Sequence, residues 1–224
     1  MRSTDDDQRL ALAKRALRAR VKELLGKMIF DRARVAERLY SQLNSIERFR
    51  CAKTIGLFVD FQNEVPTKEL VPLLFDDLMG AMRRDRVLAV PFCDHSEMTF
   101  YRLPVERVAS CAPFDFRAFL PFFEISRYGV LEPSEEWRAD QTARVDPQAL
   151  DLMLAPGLAF DLDGGRLGRG AGFYDRYLPQ MRVDALVLGL AFDEQIVERV
   201  PRNERDFKVD GVVTPTRALL TSRK

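Results

Sequence analysis

One histidine in 224 residues sets the first limit on the chemistry open to this chain. Zinc sites built on two or three histidines cannot form within it, and no H-E-x-x-H helix is present. A Ser-His-Asp triad would have to use His95 itself. That residue stands in FCDHSEM, a polar turn between two apolar stretches, and reads as a solvated loop histidine. Cysteine is scarce too. Cys51, Cys93 and Cys111 are odd in number, far apart and without a CxxC pair, which argues against a disulfide scaffold or a thiolate zinc site and for reduced thiols in the cytoplasm. No apolar run approaches the ~20 residues of a membrane span. The opening MRSTDDDQRLALAKRALRAR lacks the apolar region of a signal peptide. A formal net charge of +1 argues against a general nucleic-acid surface. The expected protein is a cytoplasmic monomer whose partners are small molecules, with neither nucleic acid nor membrane among them. Its chemistry falls to arginine, lysine, carboxylates and a bound cofactor.

The rest of the composition is ordinary for a globular domain, 46% hydrophobic and 31% charged, and the length suffices for a proper core. Asp5, Asp6 and Asp7 precede Leu10, Ala13, Leu17, Val21 and Leu24 at helical spacing, so a helix opens the chain and ends near Gly26. Asp31 is the expected N-cap of a second helix carrying Val35, Leu39 and Leu43 on one stripe. TIGLFVDF (54–61) reads as a buried strand, 67–83 as helical, RVLAVPF (86–92) as another strand, and MTFYRL as a short one. Between about 104 and 147 the chain is rich in aromatics and broken by prolines. It reads as loop with strand fragments, its rings serving either core packing or one wall of a pocket for a flat ring. LDLMLAP (150–156) and ALVLGLAF (185–192) are strands, DEQIVERV a short helix, and VDGVVTP a final strand. Strands alternating with helices predict an α/β fold, a three-layer sandwich with a mostly parallel central sheet, with residues 1–224 forming a single domain.

The chain has 12 glycines, and Gly164, Gly165, Gly168, Gly170 and Gly172 crowd into GGRLGRGAGFYDRYL with Arg166 and Arg169 between them. The stretch follows a predicted strand and leads into a predicted helix beginning near Gly172. That is the carboxyl end of a parallel sheet, where ligands gather. Backbone amides freed by Gly168, Gly170 and Gly172, two arginines and a helix N-terminus together make a phosphate cradle. The order is neither that of a P-loop nor the Rossmann fingerprint, and a flexible surface loop with solvated arginines is the competing interpretation. Asp175 suits either the helix dipole or a Mg²⁺ ion beside phosphates, and Asp206 is a second acid of that kind. Lys14 and Arg18, at i and i+4, share one helix face, as a solvated stripe or as a clamp on a polyphosphate. Glu64 follows the 54–61 strand, placed to hold a cationic or N–H-rich ring.

These residues carry a resemblance. LAPGLAFDLDGGRLGRGAGFYDRYL closely resembles the signature of the 5-formyltetrahydrofolate cyclo-ligase family, also called 5,10-methenyltetrahydrofolate synthetases. AKRALRAR, FQNEVPT, YGVLEP and LGLAFDEQIVERVPRNERDFKVDGVVT are similar to its other segments, in the same order, over nearly the whole chain. The resemblance implies an ATP- and Mg²⁺-dependent cyclisation. The formyl oxygen takes the γ-phosphoryl group, N10 attacks the activated carbon, and 5,10-methenyltetrahydrofolate, ADP and phosphate result. Phosphoryl transfer rests on positioning and charge neutralisation and needs no histidine or cysteine.

Carried onto this chain, the resemblance implies that Lys14 and Arg18 hold ATP phosphates. The nucleotide loop would be Arg166, Leu167, Gly168, Arg169, Gly170, Ala171, Gly172, Phe173 and Tyr174. Within it Arg166, Arg169 and Tyr174 would act in catalysis. Arg169 to Phe173 would also border the folate, with Val59 and Glu64 on its other side, and Asp175 and Asp206 would ligate Mg²⁺. Phe173 stands where many members carry tyrosine, and Arg205 where histidine or asparagine is common. Two other classes remain to be separated from a cyclo-ligase: a non-catalytic nucleotide or folate sensor on the same fold, and a sugar-phosphate isomerase or transferase using the loop for a monophosphate.

Overall fold

The structure is a computed structural model that describes residues 4–79, 86–95, 97–108, 115–127 and 129–221. The opening helix α1 (Thr4–Gly26) buries Val21 and Leu25 and half-buries Leu10 and Leu17, whereas Leu24 faces outward. The expected stripe holds at Leu10, Leu17 and Val21, while Ala13 is exposed and Leu25 takes the place of Leu24. Helix α2 (Arg32–Asn44) is capped by the side chain of Asp31, which accepts from Arg34 N, and buries Leu39 and Leu43 as its spacing predicts. Helix α3 (Glu47–Cys51) turns the chain into strand β1 (Thr54–Leu57), helix α4 (Thr67–Met79) follows, and residues 80–83 of the expected helix lie outside the described residues. Strand β1 is shorter than 54–61 because Asp60 leaves the ladder. Its N–H donates to Thr67 Oγ1 (2.9 Å), and its carboxylate accepts from Lys68 N (2.8 Å) and Arg32 Nη2 (2.7 Å).

Strands β2 (Val87–Asp94) and β3 (Glu97–Arg102) form a hairpin. Among the described residues the 104–147 region holds helices α5 (Val105–Val108) and α6 (Glu135–Ala139), 3-10 helices over Phe116–Phe122 and Gln141–Ala143, and three short strands. These are β4 (Phe123–Ile125), β5 (Leu131–Pro133) and β6 (Arg144–Val145). Among the described residues its aromatics pack into or against the core. Phe116, Phe119 and Trp137 are buried, and the rings of Phe122, Phe123 and Tyr101 lie 5.4–6.5 Å from that of Trp137. Cys111 lies outside the described residues.

Strand β7 (Leu152–Ala155) is followed by a hairpin of β8 (Ala159–Phe160) and β9 (Arg166–Leu167), where an uninterrupted loop was expected. Helix α7 (Phe173–Tyr177) leads to β10 (Leu186–Leu190), β11 (Gly211–Val213) and β12 (Ala218–Leu220). Of the helix expected over 193–200 only a 3-10 turn, Asp193–Gln195, forms. Beyond it Val197 N donates to Phe160 O (2.8 Å), so the chain pairs with the hairpin instead of coiling. The 211–213 strand is not the last, since β12 adds antiparallel to it.

The main sheet has the order β12-β11-β10-β7-β1-β2-β3-β6, in which β11, β10, β7, β1 and β2 run parallel. Alternate residues of β7 and β10 enter two cores: Leu152, Leu154, Leu186 and Leu188 pack under α1–α4, and Met153 and Val187 pack with Phe160, Tyr177 and Leu178 on the other face. This is the three-layer α/β sandwich predicted, although its second helical layer is thin and partly replaced by the β8–β9 hairpin. From β1 the chain moves to β2 on one side, and from β7 to β10 and β11 on the other. The sheet therefore changes direction between β1 and β7, and their carboxyl ends mark the crevice position at which sheets of this kind bind ligands. Among the described residues no helix is long and apolar enough to cross a membrane.

Candidate active site

Two loops meet at this crevice. The one after β1 passes Gln62, at φ +56°, to Glu64, whose Oε2 accepts from Phe61 N (2.9 Å). The one after β7 runs through the hairpin to Gly168–Gly172. Arg169 joins them. Its Nε donates to Glu64 Oε1 (2.8 Å), its Nη2 to Phe61 O (3.2 Å) and its Nη1 to Gln62 Oε1 (3.5 Å). Burial pushes the Glu64 carboxyl above its ordinary range, and the charge and hydrogen bond of Arg169 pull it back only in part. Val59 remains in the core at the end of β1.

Helix α1 lies across the second loop and presents both cations singled out in the sequence. Lys14 Nζ donates to both carboxylate oxygens of Asp206 (2.6 and 2.7 Å), and Arg18 Nε donates to Gly168 O (3.0 Å). Both side chains occupy the inward face with Leu10, Leu17 and Val21, so the solvated-stripe interpretation does not hold. Arg166 is no solvated loop arginine either. Its side chain is 2% exposed, Nη2 donates to Asp175 Oδ1 (2.7 Å), and Nη1 donates to Pro156 O (3.3 Å). Its Nε has no hydrogen-bond partner among the described residues. The same oxygen of Asp175 accepts from Phe207 N (3.2 Å), so the residue after Asp206 is hydrogen-bonded to Asp175.

Between these groups, Gly170 (φ +123°) and Gly172 (φ +70°) turn the backbone through conformations that side chains resist. The amides of Arg169, Gly170 and Ala171 find no backbone partner among the described residues. Helix α7 has five residues, so its dipole adds little, and anion binding rests on the cationic side chains and loop amides. Leu167 is buried in the core. Phe173 lies under Arg176, whose guanidinium is 5.3 Å from the ring centre. The Tyr174 hydroxyl is buried without a partner among the described residues, and burial holds its pKa well above the usual phenol value. It therefore stays a neutral donor.

Three residues at the site were not singled out in the sequence. Arg176 donates to Ala171 O (3.0 Å), Gln62 reaches Arg169, and Asp161 organises the hairpin turn. Only Asp161 left a local signal, an aspartate three residues ahead of the paired glycines of the turn.

The fold and site define an α/β protein with a polar, arginine-rich crevice at a topological switch point, suited to an anionic ligand. The family model of the 5-formyltetrahydrofolate cyclo-ligase family matches residues 11–215, and the chain belongs to that family. A mouse 5-formyltetrahydrofolate cyclo-ligase is 29% identical over 213 residues, covering 90% of this chain and 93% of its own. The Escherichia coli 5-formyltetrahydrofolate cyclo-ligase is 30% identical, covering 74% and 80%. Among solved structures, the 5,10-methenyltetrahydrofolate synthetase of Aquifex aeolicus superposes with a TM-score of 0.69 at 30% identity, covering 94% of each chain.

Proposed function

We propose that this protein closes 5-formyltetrahydrofolate to 5,10-methenyltetrahydrofolate at the expense of ATP, with Mg²⁺, releasing ADP and phosphate. The observation that carries this reading is the pairing of two carboxylates with two cations beside the glycine loop, Asp206 with Lys14 and Asp175 with Arg166. Among the described residues no group of three or more His, Cys, Asp or Glu side chains stands together. Two carboxylates, Asp175 and the Asp206 that precedes its partner Phe207, fit an ion that takes its remaining ligands from phosphate and water, as Mg²⁺ does. Asp175 and Asp206 would hold it, and it would neutralise charge on the transferring phosphoryl group.

In this reading Lys14 and Arg18 bind ATP phosphates from α1, and the amides of 168–172 donate to the phosphate oxygens closest to the loop. Arg166, fixed by Asp175 and Pro156 O, orients the metal acid and presents its remaining N–H inward. Arg169 stands between the two ligands, since its current partner Glu64 is the acid placed to accept N–H groups of the folate ring. Val59 lines that side, as do Gly170, Ala171, Gly172 and Phe173 on the other. Tyr174 offers a neutral hydroxyl at the back of the crevice. Residues 1–224 act as one domain in the cytoplasm, as a monomer. The test is stoichiometry: ADP, phosphate and methenyl-folate should form one to one to one from folinate and Mg·ATP. ATP consumed without ring closure, or ring closure without ADP, would overturn the proposal.

A further inference from the structure

Asp161 is 1% exposed, and its oxygens are taken up by backbone N–H groups. Oδ1 accepts from Asp163 N (3.0 Å) and Gly165 N (2.7 Å), closing the hairpin turn. Oδ2 reaches a different segment and accepts from Val200 N (2.8 Å). A buried carboxylate is costly unless such bonds replace its hydration. The same turn makes a second attachment. Gly164, at φ +81°, accepts at its carbonyl from Val209 N (2.9 Å). Both glycines are obligatory there, since a Cβ would stand 2.5 Å from Val209 O at 164 and 2.3 Å from Asp161 Oδ2 at 165.

The turn therefore grips residues 200 and 209, the two ends of a segment with no helix or strand of its own. Within that segment lie Asp206, bonded to Lys14 and to Asn203 N (2.6 Å), and Phe207, whose N–H fixes Asp175. We infer that Asp161 is a positioning residue for this reaction. By holding Val200 directly, and by closing the turn whose Gly164 carbonyl holds Val209, it sets the segment that carries Asp206 to Lys14 and Phe207 to Asp175, without touching a ligand itself. The inference rests on the proposed roles of Asp175 and Asp206 in holding Mg²⁺. It explains why the paired glycines of the motif lie away from the loop amides that face the crevice: they serve the clasp.

The test is calorimetric binding of Mg²⁺ with a non-hydrolysable ATP analogue, and of folinate separately, to the wild type, Asp161→Asn, Asp206→Asn and the double variant. Asp161→Asn should weaken Mg²⁺–nucleotide binding about tenfold, the scale of one charge-assisted bond, and leave folinate binding within about twofold. In the Asp206→Asn background it should add nothing, because both changes act through one group. Wild-type nucleotide affinity in Asp161→Asn, equal losses in both backgrounds, or equal weakening of both ligands would overturn the inference. If Asp206→Asn itself binds Mg²⁺–nucleotide normally, the metal assignment fails and this inference falls with it. Should Asp161→Asn not fold, Gly164→Ala strains the second attachment and is judged by the same criteria.

Discussion

Burial and a neighbouring cation act in opposite directions on Glu64, and burial dominates, so its carboxyl titrates above the ordinary glutamate range. A carboxyl whose folded-state pKa is raised contributes stability below its unfolded pKa and loses it as pH rises through the folded one. Thermal melts should therefore show the wild type losing stability relative to Glu64→Gln as pH rises above the ordinary glutamate range. A constant difference would contradict the placement of Glu64. Folinate binding has the opposite sign. It should weaken as pH falls through the raised pKa, because protonation removes the charge and turns one acceptor oxygen into a donor facing the ring N–H groups, and Glu64→Gln should flatten that limb. Lys14→Ala should raise the KM for ATP about tenfold and that for folinate little, as loss of one bond to a charged group implies. Unchanged ATP dependence would return Lys14 to a purely structural pairing with Asp206. Arg166→Lys and Arg169→Lys keep the charge and lose the planar fork, and Arg166 uses both arms, one on Asp175 and one on Pro156 O. A fall of about tenfold in kcat is expected for each, and wild-type kcat in both would remove these arginines from the mechanism.

Individual elements explain which parts of the site the sequence made legible. The α2 stripe, the Asp31 cap and the cores of β7 and β10 follow from local periodicity and capping, and the structure has them. The β8–β9 hairpin has two-residue strands, too short for an alternation pattern to register, so its glycines looked like loop. The stretch after Gln195 failed to become a helix for a tertiary reason. Gln195 Nε2 donates to Gly157 O (2.8 Å) and Leu158 O (3.1 Å), which ties the turn to the hairpin, and the chain beyond pairs with Phe160. Phe160 itself lies against the backbone of its neighbours. A Cβ on Gly189 in β10 would come within 2.3 Å of its ring. Gly189→Ala should cost about 1–3 kcal/mol by overpacking, a fall in Tm of roughly 2–4 °C per kcal/mol for a chain of this length, and an unchanged Tm would refute that packing. Gly170→Ala should act through conformation instead. Its Cβ would meet only the Arg18 guanidinium at 3.8 Å, an ordinary contact, but φ +123° strains any side chain. Nucleotide affinity should fall and the strain, about 1–3 kcal/mol, should lower Tm as well, whereas wild-type nucleotide affinity would remove Gly170 from the phosphate site.

At the scale of the whole molecule, strand order converts distant sequence into one site. Lys14, Glu64, Arg169 and Asp206 come from four separate stretches, and their ion pairs, Lys14 with Asp206 and Glu64 with Arg169, close over the crevice where the sheet changes direction. The residue types and the glycine-arginine loop could be read in the sequence. The pairings could not, because they depend on α1 packing back across the loop after β7 and on β1 and β7 becoming neighbours. The same geometry separates an enzyme from a sensor of identical fold only through turnover. The most direct measurement is the absorbance time course of methenyl-folate formation from folinate, run complete and with ATP or Mg²⁺ omitted in turn. Rapid formation in the complete mixture that stops on either omission is the result expected. Equal rates with and without ATP, or binding of both ligands without any product, would contradict the assignment.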